Sequence, residues 1–580
     1  PFGYDLRLAE TMYANKVLMA PFLFWGNEIV AYNLFLLLSF VLTGYTTYLL
    51  IAYLTDNPHA AVIGGAIFAF CPYRMHSVAA GGLPLLGTHW IPLIFLYLER
   101  AFREKKLRHA LAAGFFMGLT VLSARRYLFI VGSMVLLFTL LRLRFWRKKG
   151  GTDGPLLRHL ALGGLIAVAM IVPIVLPVLL GRSGEMGWSL QEVKGWTASA
   201  DDFFLPNVYH PLWGEFFLRS RAHAPRYPWY APGFVYLGAV ALILALIGLL
   251  GVRMGRDLVR AFAWMGVISL ILGLGVVLHW QGEVVEIGVP PSVEGFFTRC
   301  MSTLLNRWAL NGASYHEIAA GDGAIPVPLP ALLLYLFLPL GDTLRVLYHF
   351  GVMAIFSFAV LAGMGAAKIL GGLRPLADLE QERSHERYAL DMRQRSPGVV
   401  LGSIVILGLV LFDFCSAPLP CGFTDVRPQP TDRWLAAQPD DVVVMQFPLA
   451  RALNGDALYR TQYHDKRVTY GHSSFYPPSY RYAMPVLETF PDKECLSLLK
   501  DWGATHVVVA SEAYDSGWGD GEVQTWNVMQ RQIDASPRLQ FIGVILEEDF
   551  WRDERVSHVL KGNMPVDSVV YSRVYLYELR

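Results

Sequence analysis

Charge is scarce in this sequence. Asp, Glu, Lys and Arg make up 17% of its 580 residues and leave a net charge of +2. Soluble domains run near a quarter charged, so a wholly soluble chain is excluded, and the near-neutral balance leaves no basic footprint for nucleic acid. Cysteine is also scarce. The five (Cys71, Cys300, Cys415, Cys421 and Cys495) are scattered, odd in number and without C-x-x-C spacing, which argues against a zinc ribbon or a disulfide framework. Cys415 and Cys421 could still pair in an extracytoplasmic tail. The two halves show no internal repeat. There is no initiator Met or signal peptide, and a start at Pro1 inside a polar run reads as a sequence whose upstream part is missing.

What is plentiful is apolar residues, 54% of the chain. They gather in runs that approach the roughly 20 residues a membrane helix needs. The candidate spans are Ile29 to Leu54, Ala60 to Cys71, Pro84 to Leu98, His109 to Ser123, Tyr127 to Leu141, Leu160 to Leu180, Gly233 to Val252, Ala261 to His279, Val346 to Leu370 and Val399 to Phe414. The run Val327 to Leu340 is short and proline-flanked, and is expected to lie in the interface. Lys and Arg collect in alternate loops: Arg100 to Arg108, Arg142 to Arg158, Arg253 to Arg260 and Arg374 to Arg395. Cytoplasmic loops retain such residues. The opposite face then receives residues 1–28, the loop Pro72 to Leu83, the turn at Arg125, the loops 181–232 and 280–345, and everything after Cys415. The expected organisation is a membrane all-α bundle over residues 1–416, followed by a small soluble extracytoplasmic α/β domain over 417–580, in a multi-pass plasma-membrane protein.

Chemistry-bearing residues cluster on the non-basic side. Phe70-Cys71-Pro72-Tyr73-Arg74-Met75-His76 ends one run and His89-Trp90-Ile91-Pro92 opens the next. Arg74, His76 and His89 among aromatics suit an anionic lipid phosphate; alternatively Arg74 snorkels and the histidines cap helix ends. Arg125 and Arg126 at a hairpin tip read either as phosphate ligands or as interfacial anchors. In the aromatic loop after Gly181 (Trp188, Trp196, Phe203, Phe204), Asp201 and Asp202 suit acid/base work or a divalent cation such as Mg or Mn. They equally suit a helix N-cap. His210 and Trp213 in His210-Pro211-Leu212-Trp213-Gly214 are candidates for sugar or acceptor binding.

In the tail, Arg433 to Ala436 reads as helix and Val442 to Met445 as strand. Leu496 to Trp502 reads as a helix stopped by Gly503, and His506 to Val509 as the next strand. Trp526 to Ile533 and Phe541 to Leu546 repeat the unit, and Val569 to Tyr577 makes a final strand. Between the first two strands, Tyr459 to Asp465 and Tyr470 to Pro478 lack periodicity. This polar, aromatic stretch (Tyr459, His464, Tyr470, His472, Tyr476) reads as a binding loop or as surface packing on the sheet.

Several blocks in the same order resemble bacterial integral-membrane glycosyltransferases of the GT-C type. These are Phe68 to Arg74 leading to Trp90-Ile91-Pro92-Leu93, Ser199-Ala200-Asp201 with His210 to Gly214, Leu344-Arg345 before a long span, and Phe447-Pro448-Leu449 through Phe475 to Phe490-Pro491. The resemblance covers nearly the whole chain. It implies a polytopic GT-C-like bundle that moves a sugar from a polyprenyl-phosphate donor to a lipid, glycan or cell-envelope polymer acceptor at the extracytoplasmic face of the bilayer. It further implies an acidic base in the first outer loop, where this sequence retains Asp5 and Glu10. Arg74, Arg125, Arg126 and Arg345 would serve the phosphate. Where relatives tend to show Asn-Gly-Tyr-Ser-Gly, this chain has Tyr470-Gly471-His472-Ser473-Ser474, so sugar and acceptor stay open. The rival readings are a lipid or polysaccharide transporter or flippase, and a non-catalytic assembly protein of the same fold.

Overall fold

The computed structural model describes residues 12–79, 81–148, 154–180, 187–207, 210–214, 216, 233–251, 255–309, 323–338, 341–371, 396–416, 427–449, 451–471, 478–515, 525–547 and 573–580. The chain forms two compact units, one of Glu10–Cys421 and one built on Gly422–Arg580.

The first unit is helical. It runs α1 (Tyr13–Trp25), α2 (Glu28–Thr55), α3 (Pro58–Ala69) and α4 (Pro72–Ala79), then a 3-10 segment (Leu83–Trp90) that feeds α5 (Ile91–Glu104). Next come α6 (Leu107–Ser123), α7 (Tyr127–Lys148), α8 (Gly154–Leu180) and the short α9 (Leu190–Gly195). The series continues with α10 (Ala239–Gly251), α11 (Arg256–Gly273), α12 (Pro291–Thr303), α13 (Ala331–Phe337), α14 (Gly351–Ile369) and α15 (Pro397–Asp413). Two small antiparallel pairs lie between α11 and α13: β1 (His279–Trp280) with β2 (Glu283–Val284), and β3 (Glu286–Gly288) with β4 (Ala324–Pro326).

Local chemistry sets the helix starts. Asn27 Oδ1 accepts from Val30 N and Asn57 Oδ1 from Ala60 N, both at 3.0 Å. Each such cap contributes about 1 kcal/mol. Pro58 and Pro397 follow their caps, where a missing N–H costs nothing. Among the described residues four helices are long and apolar enough to cross a membrane: Glu28–Thr55, Tyr127–Trp146, Gly154–Leu180 and Leu347–Ile369. The last is 94% buried against 17% for Gly154–Leu180, which makes α14 the central helix and leaves α8 to face lipid.

The core around α14 is aromatic. Phe356 meets Phe68 at 5.2 Å and Phe95 at 5.0 Å, and Phe138 meets both Phe95 and Phe262 at 5.0 Å, so α3, α5, α7, α11 and α14 join in one contact chain. Elsewhere backbones approach so closely that a Cβ has no room. One added at Gly365 would overlap Leu244 O, and one at Gly114 would overlap Gly163 O. Small residues allow such approach where no hydrophobic drive exists between helices in lipid. At the basic end, buried Glu99 of α5 receives Arg103 Nε at 2.7 Å and Arg142 through Nε (3.1 Å) and Nη2 (2.9 Å), a fork that ties α5 to α7.

The expected spans correspond to helices with shifted ends. The run from Pro84 is kinked at Gly87 inside the 3-10 segment and becomes α-helical from Ile91 as α5. The run expected to reach His279 stops at Gly273, because the chain turns at Gly275 into β1. The stretch Val327 to Leu340 supplies only the seven-residue α13, too short to span.

The second unit holds a five-stranded mixed sheet in the order β6-β5-β7-β9-β8, made of β5 (Val443–Phe447), β6 (Arg467–Val468), β7 (His506–Ala510), β8 (Leu539–Leu546) and β9 (Arg573–Leu579). β5 runs parallel to β6 and β7, while β9 is antiparallel to β7 and β8. Alternation along β5 and β7 sends Met445, Phe447, Val507 and Val509 to one face and Val444 and Val508 to the other, so both faces are covered. The unit's helices are α16 (Pro430–Ala436), α17 (Arg451–His464), α18 (Pro478–Leu487), α19 (Lys493–Asp501), α20 (Ser511–Asp515) and α21 (Trp526–Asp534). Gly503, at φ 79°, follows α19 as expected.

One expectation for this unit is corrected. Tyr459 to His464 is not a loop but the end of α17. A parallel β5–β6 pair needs a crossover, and α17 provides it with Ala457 and Leu458 on the core side. Tyr470 and His464 are buried, at 8% and 4% exposure, and the Tyr459 hydroxyl is also buried. These three side chains pack the unit rather than line an open binding loop. His472 and Tyr476 lie outside the described residues.

Candidate functional site

The α6–α7 hairpin turns at Ala124-Arg125-Arg126, at the opposite end of these helices from the Glu99–Arg142 fork. Arg126 Nη1 lies 3.0 Å from His349 Nε2, in the 3-10 turn Leu347–Phe350 that opens α14. On the ring's other side, His349 Nδ1 lies 3.0 Å from Tyr73 Oη of α4. Three elements distant in sequence thus meet on one buried imidazole.

Aromatic rings carry the group outward. His349 packs on Tyr348 (4.7 Å) and edge-on to Tyr73 (5.8 Å), Tyr348 packs edge-on to Phe234 (4.4 Å), and Phe234 meets His76 at 4.7 Å. Arg126, His76 and Arg345 all lie within electrostatic reach of His349. Arg345 is clamped between Trp188 and Trp196, its guanidinium 4.4 Å and 4.7 Å from their ring centres. Its Nη1 stands 3.6 Å from Glu192 Oε1. Cation–π contact with both rings holds this arginine in place.

Of the residues expected to serve a phosphate, Arg126, His76 and Arg345 lie within electrostatic reach of His349, and Arg125 sits half-buried beside Arg126 at the tip. Arg74 does not join them. It is fully buried, donating from Nε to Ala69 O (3.0 Å), from Nη1 to Leu86 O (3.3 Å) and Thr88 Oγ1, and from Nη2 to Ser39 Oγ (3.0 Å). Phe40 lies across its guanidinium at 4.7 Å. The carbonyl of Ala69 is the C-terminal end of α3, where the helix dipole favours a cation. Arg74 is therefore a structural clasp of α2, α3, α4 and the 3-10 segment, and its assignment to phosphate is corrected. His89 is buried against Trp90 (4.5 Å) with Arg74 as its charged neighbour, away from the Arg126 group.

The acid/base assignment of Asp201 and Asp202 is also corrected. Asp202 Oδ2 accepts from Ser199 N (2.9 Å) in a capping box, and Oδ1 accepts from Gly233 N (3.1 Å). Asp201 Oδ1 accepts from Gln281 N (2.9 Å), while Ser199 Oγ accepts from Gly282 N (2.7 Å) in the β1–β2 turn, where Gly282 has φ 83°. Both carboxylates are buried and hold loop backbone. Among the described residues no group of three or more His, Cys, Asp or Glu is placed to hold a metal ion. Asp5 and Glu10 lie outside the described residues.

His210 is likewise engaged. Nε2 lies 3.0 Å from Phe412 O, and Nδ1 accepts from Leu212 N and Trp213 N at 3.2 Å, which fastens its loop to α15. Trp213 remains 52% exposed, so it alone of that pair is open to a ligand or lipid. The residues that sequence reasoning missed are His349 and Tyr348. The available signal was a histidine beside an aromatic at the head of a span on the non-basic side, the same pattern noted at Tyr73 to His76.

The fold defines a membrane protein with a cationic, aromatic corner at one end of its bundle. A family model described as a domain of unknown function (DUF6311) matches residues 15–303. No curated protein matches the chain. Among solved structures it is similar to the archaeal oligosaccharyltransferase AglB from Archaeoglobus fulgidus, in complex with an inhibitory peptide and a dolichol-phosphate. That match has 12% identity and a TM-score of 0.45, over 100% of this chain and 81% of that one.

Proposed function

We propose that this chain is a GT-C-type membrane glycosyltransferase that takes a sugar from a polyprenyl-phosphate donor and passes it to an acceptor hydroxyl on the extracytoplasmic face. The observation that carries the reading is the Arg126–His349 bond at the end of the bundle away from the basic loops, with His76 and Arg345 within electrostatic reach of the imidazole. A phosphate at the membrane interface is the anion such a group suits, since charge-assisted donors are about twice as strong as neutral ones. In the reaction the acceptor oxygen bonds to the anomeric carbon as the bond from that carbon to the phosphate oxygen breaks. The hydroxyl proton passes to a carboxylate base, and the lipid phosphate leaves with the electron pair of the broken bond. Arg126 and its neighbours would stabilise that developing charge. By the resemblance, that carboxylate belongs to the first outer loop, where this sequence carries Asp5 and Glu10.

A second reading is favoured by one observation. With Asp201 and Asp202 committed to backbone, a lipid-phosphate-binding assembly protein without catalysis fits the same corner. Incubating membranes containing the chain with radiolabelled polyprenyl-phosphate hexoses separates the two. Label leaving the lipid for an acceptor supports the enzyme. Lipid binding without transfer supports the assembly protein.

A further inference from the structure

The contact between Arg126 and His349 fixes where a buried proton sits. A guanidinium only donates hydrogen bonds, so His349 Nε2 is the acceptor of the 3.0 Å bond and carries no hydrogen. The neutral ring must then carry its hydrogen on Nδ1, and that N–H reaches Tyr73 Oη at 3.0 Å. A ring accepting at both nitrogens would be an imidazolate, out of reach at neutral pH. Tyr73 Oη is therefore an acceptor in this bond, and its own hydrogen is left to donate elsewhere. Tyr73 is 1% exposed, and among the described residues its hydroxyl meets no acceptor besides His349, whose facing nitrogen is already protonated. A buried donor without an acceptor is costly, so the arrangement calls for an acceptor that the described side chains do not supply. The charged and basic groups around it (Arg126, His76 and Arg345) select an anion.

We propose that the Tyr73 hydroxyl donates a hydrogen bond to a phosphate oxygen of the bound lipid phosphate. His349, whose tautomer is fixed by its bond to Arg126, acts as the positioning residue that sets the direction of its proton. This rests on the functional reading above and adds a specific ligand-binding atom to it. The order Arg126 to His349 to Tyr73 has one polarity, so the whole line ends in a donor. Replacing His349 with a side chain that does not hold that polarity would free the Tyr73 hydroxyl to rotate.

The test uses the full chain in detergent micelles with three probes: farnesyl phosphate, inorganic phosphate and the uncharged alcohol farnesol. Tyr73→Phe keeps the ring and its edge contact with His349. It is expected to weaken farnesyl phosphate about ten- to a hundredfold, the range for a lost hydrogen bond to a charged group, while farnesol binding stays at the wild-type value; the His349 Nδ1–H loses its acceptor, so affinities are compared per folded molecule. Inorganic phosphate that displaces farnesyl phosphate and loses the same factor in Tyr73→Phe supports the hydrogen bond and assigns the site to phosphate as such. Equal farnesyl phosphate affinity in wild type and Tyr73→Phe overturns this proposal and leaves the functional reading standing. No binding by wild type overturns both. Should Tyr73→Phe not fold, nitrogen-15 NMR of His349 in the wild type decides: the Nδ1–H tautomer supports the relay, and the Nε2–H tautomer overturns it.

Discussion

Arg126 and His349 stand 223 residues apart in sequence and share a 3.0 Å hydrogen bond that locks the α6–α7 tip to the head of the central helix. Two residues in one partly buried bond should not behave independently. A double-mutant cycle with Arg126→Ala and His349→Ala is expected to show a coupling of about 1 kcal/mol or more in stability. Additive effects, measured by denaturant or thermal unfolding in micelles, would remove the bond.

Arg74 is predicted to matter for folding and not for the donor. Truncation removes the donors to Ala69 O, Leu86 O, Thr88 Oγ1 and Ser39 Oγ and opens a cavity in their place, and Arg74→Ala should cost about 3 kcal/mol or more. Arg74→Lys should recover only part of that, because an ammonium cannot fork to carbonyls on two sides. Melting temperature and yield will show the loss. Affinity for polyprenyl phosphate per folded molecule is expected to stay at the wild-type value.

Asp202→Ala should unfasten Ser199 N and Gly233 N together. The expected cost is about 1–3 kcal/mol of stability, seen as raised proteolysis within residues 199–207, while turnover per folded molecule changes little. A hundredfold drop in turnover of fully folded Asp202→Asn would return this carboxylate to the catalytic set.

Much of the bundle is readable from its apolar runs and arginine placement, because lipid forces both on the sequence. Arg126 stands out for the same reason, as a charge at a hairpin tip. Its partner does not, since nothing local in Tyr348-His349-Phe350 says that α4 and α7 will pack there. The two aspartates illustrate the opposite problem: Asp-Asp before a phenylalanine carries the signal of an N-cap and of an active site alike, and only Gly233 and Gln281, far away in sequence, decide between them. In the sheet unit, α17 escapes detection because Asn454-Gly455-Asp456 has the composition of a turn. The helix is imposed by the crossover between two parallel strands, a tertiary demand.

The sheet unit carries a pH dependence at His464. Burial pushes its imidazole below the ordinary histidine range, with nearby Asp432 pulling the other way, and Nδ1 accepts from Lys466 N at 3.0 Å, which requires that nitrogen to be unprotonated. The unfolded chain then takes up a proton near pH 6.5 that the folded unit resists. Stability contributed by this group is present above about pH 6.5 and falls as pH drops below it, by at most about 1.4 kcal/mol per pH unit for one proton. Hydrogen-exchange protection factors at β6 and the end of α17, in which the intrinsic pH dependence of exchange is divided out, should fall between about pH 6.5 and 5. In His464→Gln that change should flatten.

The most direct measurement is transfer of radiolabelled sugar from polyprenyl phosphate in membranes carrying the wild-type chain or Arg126→Ala at equal folded amounts. The account predicts label moving to an acceptor with the wild type, and a rate about a hundredfold lower once the guanidinium is gone. Transfer by Arg126→Ala at the wild-type rate, or neither lipid binding nor transfer by the wild type, would contradict it.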